Sequence, residues 1–208
     1  MAYDFKKENK SLYAPAAKPS IVAVLEMTFI MADGMGDPNT STEYQNAVAA
    51  LYGIAYGVKM SKRSGDTPDG YFDFVVAPLE GLWRTDGAGI LDKNKFQWTS
   101  LMRLPDFVTP DVFEDIRLKV GKKKPELDLS AVRLERFTEG LCGQITHIGS
   151  FDDEPATIAE LTRFILESGC TIEMSGWRQH HEIYLSDPRK ATPEKMKTII
   201  RYPIVKEV

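Results

Sequence analysis

The predicted secondary-structure elements of this chain occur in an order that repeats. A strand is predicted at residues 21–29, where apolar and β-branched residues run together, and a helix and two further strands follow it. After a linking segment, the second half shows a strand, a helix and more strands in the same order. We therefore expect an α+β fold of two tandem βαββ modules related by a pseudo-two-fold axis, with antiparallel sheets, helices on one side and a central ligand cleft.

Short matching segments support an internal repeat. Residues 79–83 (LEGLW) match residues 181–185 (HEIYL). Residues 95–105 match residues 195–203, and both end in Arg-x-Pro. The repeat would place Glu80 and Glu182, one from each of the first two matching segments, near a shared groove. A chance similarity between short segments is the alternative interpretation.

The repeat also predicts how the chain is divided. Residues 1–20 are polar and lysine-rich and are expected to form an N-terminal arm, docked through its aromatic residues. Residues 21–208 are expected to form one domain, with modules at about 21–105 and 138–208. A helical linker at about 106–137 would join the two modules.

Capping residues predict where the first two helices begin. Thr40 and Glu43 form a capping box that would start a helix reaching about Met60. Pro110 is suited to the first position of a second helix, which Gly121 would end.

The third helix has two possible starts. It begins either at Thr157, in a second capping box, or at Asp153, which lies just ahead of a proline, and Gly169 ends it. Further strands are predicted at 72–76, 80–83, 96–104, 141–148, 171–174, 179–185 and 196–203.

Composition argues against several classes of protein. The chain has 26 basic and 30 acidic residues and a net charge of −4, which indicates neither a nucleic-acid partner nor a membrane surface. Two cysteines and three histidines lack the spacing of a disulfide framework or a zinc site, so we expect no metal and no cofactor. Without a signal peptide or a transmembrane run, we expect a cytoplasmic monomer or weak homodimer.

Residues 180–185 form the segment most typical of a site. A strand places alternate side chains on opposite faces, so His180, Glu182 and Tyr184 would share one face, opposite two apolar side chains. The apolar pair is typical of a core, whereas an acid beside an aromatic residue is typical of a binding site. An exposed edge strand is the alternative interpretation for Glu182.

Aromatic walls would change the chemistry of a buried acid. They lower the local polarity, which raises the pKa of a carboxyl group and strengthens its attraction for positive charge. Ring faces attract cations as well. This combination suits planar aromatic or cationic ligands, or a reaction that develops positive charge. The candidate catalytic residues are Glu182, Glu80 and Tyr184, and the candidate ligand-binding residues are Tyr71, Trp83, Trp98, Phe137, Trp177 and His180.

Each candidate also has a structural interpretation. Glu80 would cap a turn beside Gly81, and each tryptophan would belong to the core. Strand alternation places Glu80 and Trp83 on opposite faces, unless Gly81 forms a bulge that turns one of them.

Several segments together resemble the GyrI-like family of small-molecule-binding domains, which also occur in multidrug-sensing transcription regulators. The segments that carry the resemblance are YDFKKENKSLY, GDPN, EYQNAVAALYGIAY, PLEGLW, FQWTSLMRLPDFVT, THIGSFDDEPATI, HHEIYLSDPRK and KTIIRYP. The resemblance implies two βαββ modules around a cleft lined by aromatic residues and an acid. It assigns the acid's role to Glu182, beside Tyr184. No DNA-binding segment precedes residue 21, so direct regulation of transcription is not expected.

One stand-alone branch of that family hydrolyses cyclopropane-bearing, DNA-alkylating natural products of the yatakemycin and CC-1065 type. The chain is similar to this branch in PLEGLW, in the tryptophan of FQW and in Glu182. The resemblance implies a protective hydrolase whose aromatic cage grips a flat drug, while Glu182 or Glu80 orients or deprotonates water. The alternatives are a non-catalytic module that binds multiple drugs or lipophilic cations, and an interaction protein that inhibits gyrase.

Overall fold

The computed structural model describes residues 2–63, 67–84, 95–187 and 190–207. The helices are α1 (Phe5–Glu8), α2 (Lys10–Tyr13), α3 (Thr42–Met60), α4 (Pro110–Lys123) and α5 (Glu154–Glu167). The strands are β1 (Ser20–Val24), β2 (Met27–Met35), β3 (Leu79–Arg84), β4 (Gln97–Arg103), β5 (Arg133–Phe137), β6 (Gly140–Ile148), β7 (Cys170–Ile172), β8 (His180–Tyr184) and β9 (Lys197–Lys206). The predicted α+β class with antiparallel sheets is confirmed. No helix in these ranges is long and apolar enough to span a membrane.

Side-chain caps fix two helix starts close to their predicted positions. Thr109 accepts a hydrogen bond from the backbone amide of Val112 at 3.3 Å, and α4 begins at Pro110 as predicted. Ser41 rather than Thr40 caps α3, because its hydroxyl accepts the amide of Tyr44 at 3.2 Å.

The other helix boundaries correct or resolve the predictions. Helix α5 follows Asp153, the second of the two predicted starts, and Gly169 follows its end with φ of 67°. Helix α4 continues past Gly121 to Lys123, so the prediction that this glycine ends the helix is wrong.

Two strand predictions are also wrong. The apolar run at 21–29 is not one strand, because the exposed residues Leu25 and Glu26 separate β1 from β2. The predicted strand at 72–76 is reduced to a single bridge between Phe74 and Tyr3. The backbone groups around this bridge bond to Tyr3 instead of joining a longer ladder.

The chain folds into two compact units. Unit 1 comprises the described residues within Met1–Phe5, Met27–Ala77 and Arg84–Phe137. Its strands pair in the order β4, β2, β5, and α3 packs against this sheet and against α4. Since β5 lies in the predicted linker yet pairs with β2, that segment is part of a folded unit rather than a connection between units.

Unit 2 comprises Lys6–Glu26, Pro78–Trp83 and Thr138–Val208 within the same described ranges. Its strands pair in the order β1, β6, β9, β8, β3, and β7 pairs with the end of β9. Helix α5 covers β6 and β7 over a core formed by Ile145, Leu161, Ile165, Cys170, Ile200, Tyr202 and Ile204. This unit takes segments from both halves of the chain, whereas the predicted modules were each a single continuous stretch. The pseudo-two-fold axis stays a prediction.

Candidate functional site

Strand β8 places its alternate side chains as the sequence predicts. His181 and Ile183 are buried, while His180, Glu182 and Tyr184 lie on the other face and are half-buried. The neighbouring strand β3 continues this face, because Trp83 pairs with His180.

Glu182 is held by hydrogen bonds at both carboxylate oxygens. His180 Nε2 lies 2.9 Å from Oε1, and the Tyr184 hydroxyl donates to Oε2 at 2.8 Å. The Trp83 indole N–H donates to that same tyrosine hydroxyl at 3.0 Å. The carboxylate is therefore fixed in position on a face that also carries an indole and a phenol ring.

Tyr202 contacts the second ring nitrogen of His180. The hydroxyl of Tyr202 lies 2.9 Å from His180 Nδ1. Burial, together with the negative charges of Glu182 and Glu154, raises the pKa of Tyr202 to about 12, so this hydroxyl keeps its proton. This hydroxyl and His180 Nδ1 share a hydrogen bond, and His180 Nε2 faces Glu182 Oε1.

Gly81 makes room for this arrangement. It pairs with Glu182 across the two strands, and a Cβ at this position would lie 2.8 Å from Trp83 Nε1 and 3.0 Å from the Tyr184 hydroxyl oxygen. The pairing from Glu80 to Trp83 is continuous, so Gly81 forms no bulge, and Glu80 and Trp83 lie on opposite faces as strand alternation predicts.

Glu154 joins the site from helix α5, although sequence reasoning did not select it. Its side chain is 7% exposed, and its Oε1 has no hydrogen-bond partner among the described residues. One atom each of Glu154, His180 and Glu182 lie within 4.8 Å of one another. Burial and the negative charge of Glu182 raise the pKa of Glu154 to about 9. In the sequence, Glu154 stands in front of Pro155, a pattern typical of a helix start, and within THIGSFDDEPATI, one of the segments that carry the family resemblance.

These six residues are called the Glu182 site below: Trp83, Glu154, His180, Glu182, Tyr184 and Tyr202. Phe151 adds a ring at its edge, packed at 89° against Tyr184 with centroids 5.9 Å apart. Two carboxyl groups and an imidazole are also a ligand set that divalent cations accept. The expectation of no metal stays a prediction.

Glu80 lies on the opposite face of the sheet and belongs to a buried polar network. It pairs with Ile183 in the register of β3 and β8. Its carboxylate accepts the Tyr13 hydroxyl at 3.1 Å and lies 2.9 Å from His181 Nε2. The structure therefore does not bring the two predicted catalytic acids together.

The same network continues to Glu139 and Arg201. Glu139 lies 3.0 Å from His181 Nδ1 and 3.0 Å from Arg201 Nη1. Although burial opposes the charged form, His181 and Arg201 lower the pKa of Glu139 to about 2. Burial likewise opposes the charged form of His181, but Glu139 and Glu80 raise its pKa to about 9. Glu80, His181, Glu139 and Arg201 thus form one buried network in which opposite charges face one another. We interpret this network as part of the folded core rather than of a site.

Three of the remaining predicted ligand-binding residues belong to unit 1, and one belongs to unit 2. Tyr71, Trp98 and Phe137 are in unit 1, where each packs against another ring. The Tyr71 hydroxyl donates to the Lys59 carbonyl at 2.8 Å. Trp177 is 44% exposed in a turn of unit 2. Of the predicted wall, the structure places Trp83 and His180 at Glu182.

The Glu182 site combines polar groups with aromatic rings, a composition typical of small-molecule sites. The profile of the GyrI-like small molecule binding domain matches residues 17–205, and the chain belongs to this family. A search of curated proteins found no match.

Solved structures agree with this assignment. A hydrolase from Listeria innocua is 50% identical, with a TM-score of 0.91 over 98% of this chain and 100% of that chain. An uncharacterized conserved protein from Listeria innocua is 52% identical, with a TM-score of 0.94 over the same shares. The EcmrR C-terminal domain shares the fold alone, at 11% identity and a TM-score of 0.54 over 91% of this chain and 98% of that chain.

Proposed function

We propose that this protein is a hydrolase that opens the cyclopropane ring of DNA-alkylating natural products of the yatakemycin and CC-1065 type, and so protects the cell. The observation that carries the proposal is the carboxylate of Glu182, bonded at both oxygens on a face beside Trp83 and Tyr184. The 50% identity to a Listeria hydrolase supports hydrolysis as the reaction type.

In the proposed reaction, water adds across one C–C bond of the strained ring. The water oxygen forms a bond to the ring methylene carbon while that C–C bond breaks. The released electron pair moves into the conjugated carbonyl system of the substrate, whose oxygen takes up a proton. Glu182 accepts the proton that water loses, as a general base. The indole of Trp83 and the ring of Tyr184 would stack on the flat substrate.

Replacing the base tests this function. We expect Glu182→Gln to slow hydrate formation by about 100-fold or more, since general-base catalysis contributes on that order. Mass spectrometry of the ring-opened product, with heavy-oxygen water as the label source, measures the rate. The matched control is Glu160→Gln on the exposed face of α5, which should leave the rate unchanged. Product forming no faster with the wild-type protein than in buffer alone would contradict the proposal.

Non-catalytic binding of planar aromatic cations is the second candidate. The same fixed carboxylate beside two aromatic rings supports it, because both attract a flat cation. A fluorescence titration with the same compound separates the two candidates. Quenching of tryptophan fluorescence that weakens in Glu182→Gln, with the compound recovered unchanged, would favour binding over hydrolysis.

A further inference from the structure

Glu154 is a buried acid placed against another acid. It is the first residue of α5, and one of its oxygens is fully buried without a hydrogen-bond partner in the described part of the chain. The hydroxyls of Tyr184 and Tyr202 are already committed to Glu182 and His180. Glu154 is therefore the acid of the Glu182 site with an unused oxygen.

Burial and the carboxylate of Glu182 both disfavour a negative charge on Glu154. The start of a helix favours an anion, but this effect is small at an ordinary site. Burial and a neighbouring carboxylate act in the opposite direction and are the larger effects here. His180, from the same strand as Glu182, places its Nε2 2.9 Å from Glu182 Oε1.

The other titratable groups around the start of α5 are bonded to partners other than Glu154. Tyr202, from β9, keeps its proton for His180. His147, from β6, has both ring nitrogens engaged by Thr157 at 2.8 Å and by the Ser150 carbonyl at 2.9 Å. Asp153 accepts the hydroxyl of Ser150 at 2.6 Å.

We propose that Glu154 and Glu182 form an acid pair that holds one proton between them, with Glu154 as the protonated partner, and that the pair binds the water used in hydrolysis. The two carboxyl groups approach within 4.8 Å. One water molecule making two hydrogen bonds of about 2.7 Å spans up to about 5 Å, so a single water fits between them. The catalytic half of this inference rests on the proposed function, whereas the shared proton does not.

The pair assigns a role to each acid in the addition of water. Glu154 O–H donates to the water oxygen and orients one lone pair toward the ring carbon. Glu182 accepts a water proton as the C–O bond forms and the ring C–C bond breaks. The substrate oxygen takes a proton from solvent, and Glu182 returns its proton to solvent, which restores the singly protonated pair.

Stability against pH tests the shared proton without any turnover. An acid whose pKa is raised in the folded protein lowers stability as pH rises from 4.5 toward about 9, because only the unfolded chain releases its proton. Glutamine cannot ionise, so Glu154→Gln should raise the urea midpoint relative to wild type, with the gain growing between pH 5 and pH 8. Glu182→Gln removes the like charge and should produce part of the same gain, while Glu160→Gln should follow wild type. If the urea midpoints of Glu154→Gln and wild type differ by the same amount at every pH, the acid pair is overturned.

Rate against pH tests the bound water. Wild type should lose activity at alkaline pH, where the pair gives up its proton. Glu154→Gln keeps a neutral hydrogen-bond donor and should retain a tenth or more of the rate at neutral pH, without that alkaline loss. Glu154→Ala should lose more activity than Glu154→Gln. Equal rates for the two variants, or an alkaline loss that persists in Glu154→Gln, would overturn the catalytic role. If wild type shows no turnover, the proposed function fails, and the stability measurement still decides the shared proton.

Metal binding is the competing explanation for the pair. A divalent cation would replace the proton and deprotonate Glu154. Calorimetric titration with zinc chloride and with manganese chloride should show no stoichiometric binding to wild type. Binding that is lost in Glu154→Gln would overturn the acid pair in favour of a metal site.

Discussion

At the scale of single residues, Tyr184 connects two groups through one hydroxyl. It accepts the Trp83 indole N–H and donates to Glu182 Oε2. This geometry depends on Gly81, since any larger residue would place a carbon within 3.0 Å of that hydroxyl. The tyrosine orients the carboxylate and positions the tryptophan ring at the same time.

Removing this hydroxyl should disturb both neighbours. We expect Tyr184→Phe to cost about 1 kcal/mol of unfolding free energy, the usual net value of a hydrogen bond, and to slow hydrolysis because Glu182 loses one of its restraints. Urea denaturation and the hydrate assay measure the two effects. The control is Tyr56→Phe at an exposed position on α3, which should stay within about 0.5 kcal/mol of wild type. Unchanged stability and rate in Tyr184→Phe would contradict the role given to this tyrosine.

At the scale of elements, the position of Glu154 depends on how α5 packs on β6. The helix approaches the strand closely at Gly143, where a Cβ would lie 2.7 Å from Ile165 Cγ1 and Cδ1. Ile165 and Leu161 are both fully buried at this contact. A glycine in β6 thus lets the helix lie close enough to bring its first residue toward β8.

Adding one methyl group at this contact should lower the stability of the protein. We expect Gly143→Ala to destabilise the protein by about 1–3 kcal/mol, the usual range for overpacking a core. The double variant Gly143→Ala with Ile165→Val should cost less than the sum of the two single changes, because the shorter side chain relieves the clash. Gly121→Ala in α4 is the matched control. Its Cβ would meet only Leu129, at 3.8 Å, so we expect no loss of stability. Additive costs in the double variant would contradict this account.

At the scale of the whole molecule, unit 2 is built around charge as well as around an apolar core. His181 and Glu139 are about 1% exposed and lie between Glu80 and Arg201. The Arg201 guanidinium also donates to the Leu12 carbonyl at 2.9 Å, so the network fixes helix α2 to the sheet. The predicted arm is thus tied into a folded unit by polar bonds to its backbone.

This network makes stability depend on pH. The pKa of His181 is raised from 6.5 to about 9, so its contribution is complete below pH 6.5 and is lost as pH rises toward 9. The pKa of Glu139 is lowered from 4.5 to about 2, so its contribution is complete above pH 4.5 and is lost as pH falls toward 2. In the Glu154→Gln background, which removes the slope due to that acid, we expect maximal stability between pH 4.5 and pH 6.5. The loss by pH 9.5 should be on the order of 3 kcal/mol or less.

Urea denaturation followed by circular dichroism between pH 3 and pH 10 measures this profile. His181→Gln in the same background should flatten the alkaline side, although it lowers stability overall by leaving Glu139 with one partner fewer. An alkaline slope that survives in this variant would show that another group is responsible.

Much of the local structure could be predicted from the sequence. The period of two along a strand places His180, Glu182 and Tyr184 on one face wherever that strand lies. Thr109 before Pro110 marks a helix start because both act on the backbone of the next few residues. Short-range rules suffice for these features, and the family could be recognised from the segments that contain them.

Only the tertiary structure decided the composition of the site. Glu80 was separated from Glu182 by the register of β3 against β8, which depends on hydrogen bonds between residues about a hundred positions apart. Glu154 joined Glu182 because helix α5 packs on β6, a contact that no local pattern encodes. The sequence by itself determined which residue types stand on the face around Glu182. Pairing register and close packing determined which acid stands beside it, because both are set by long-range contacts.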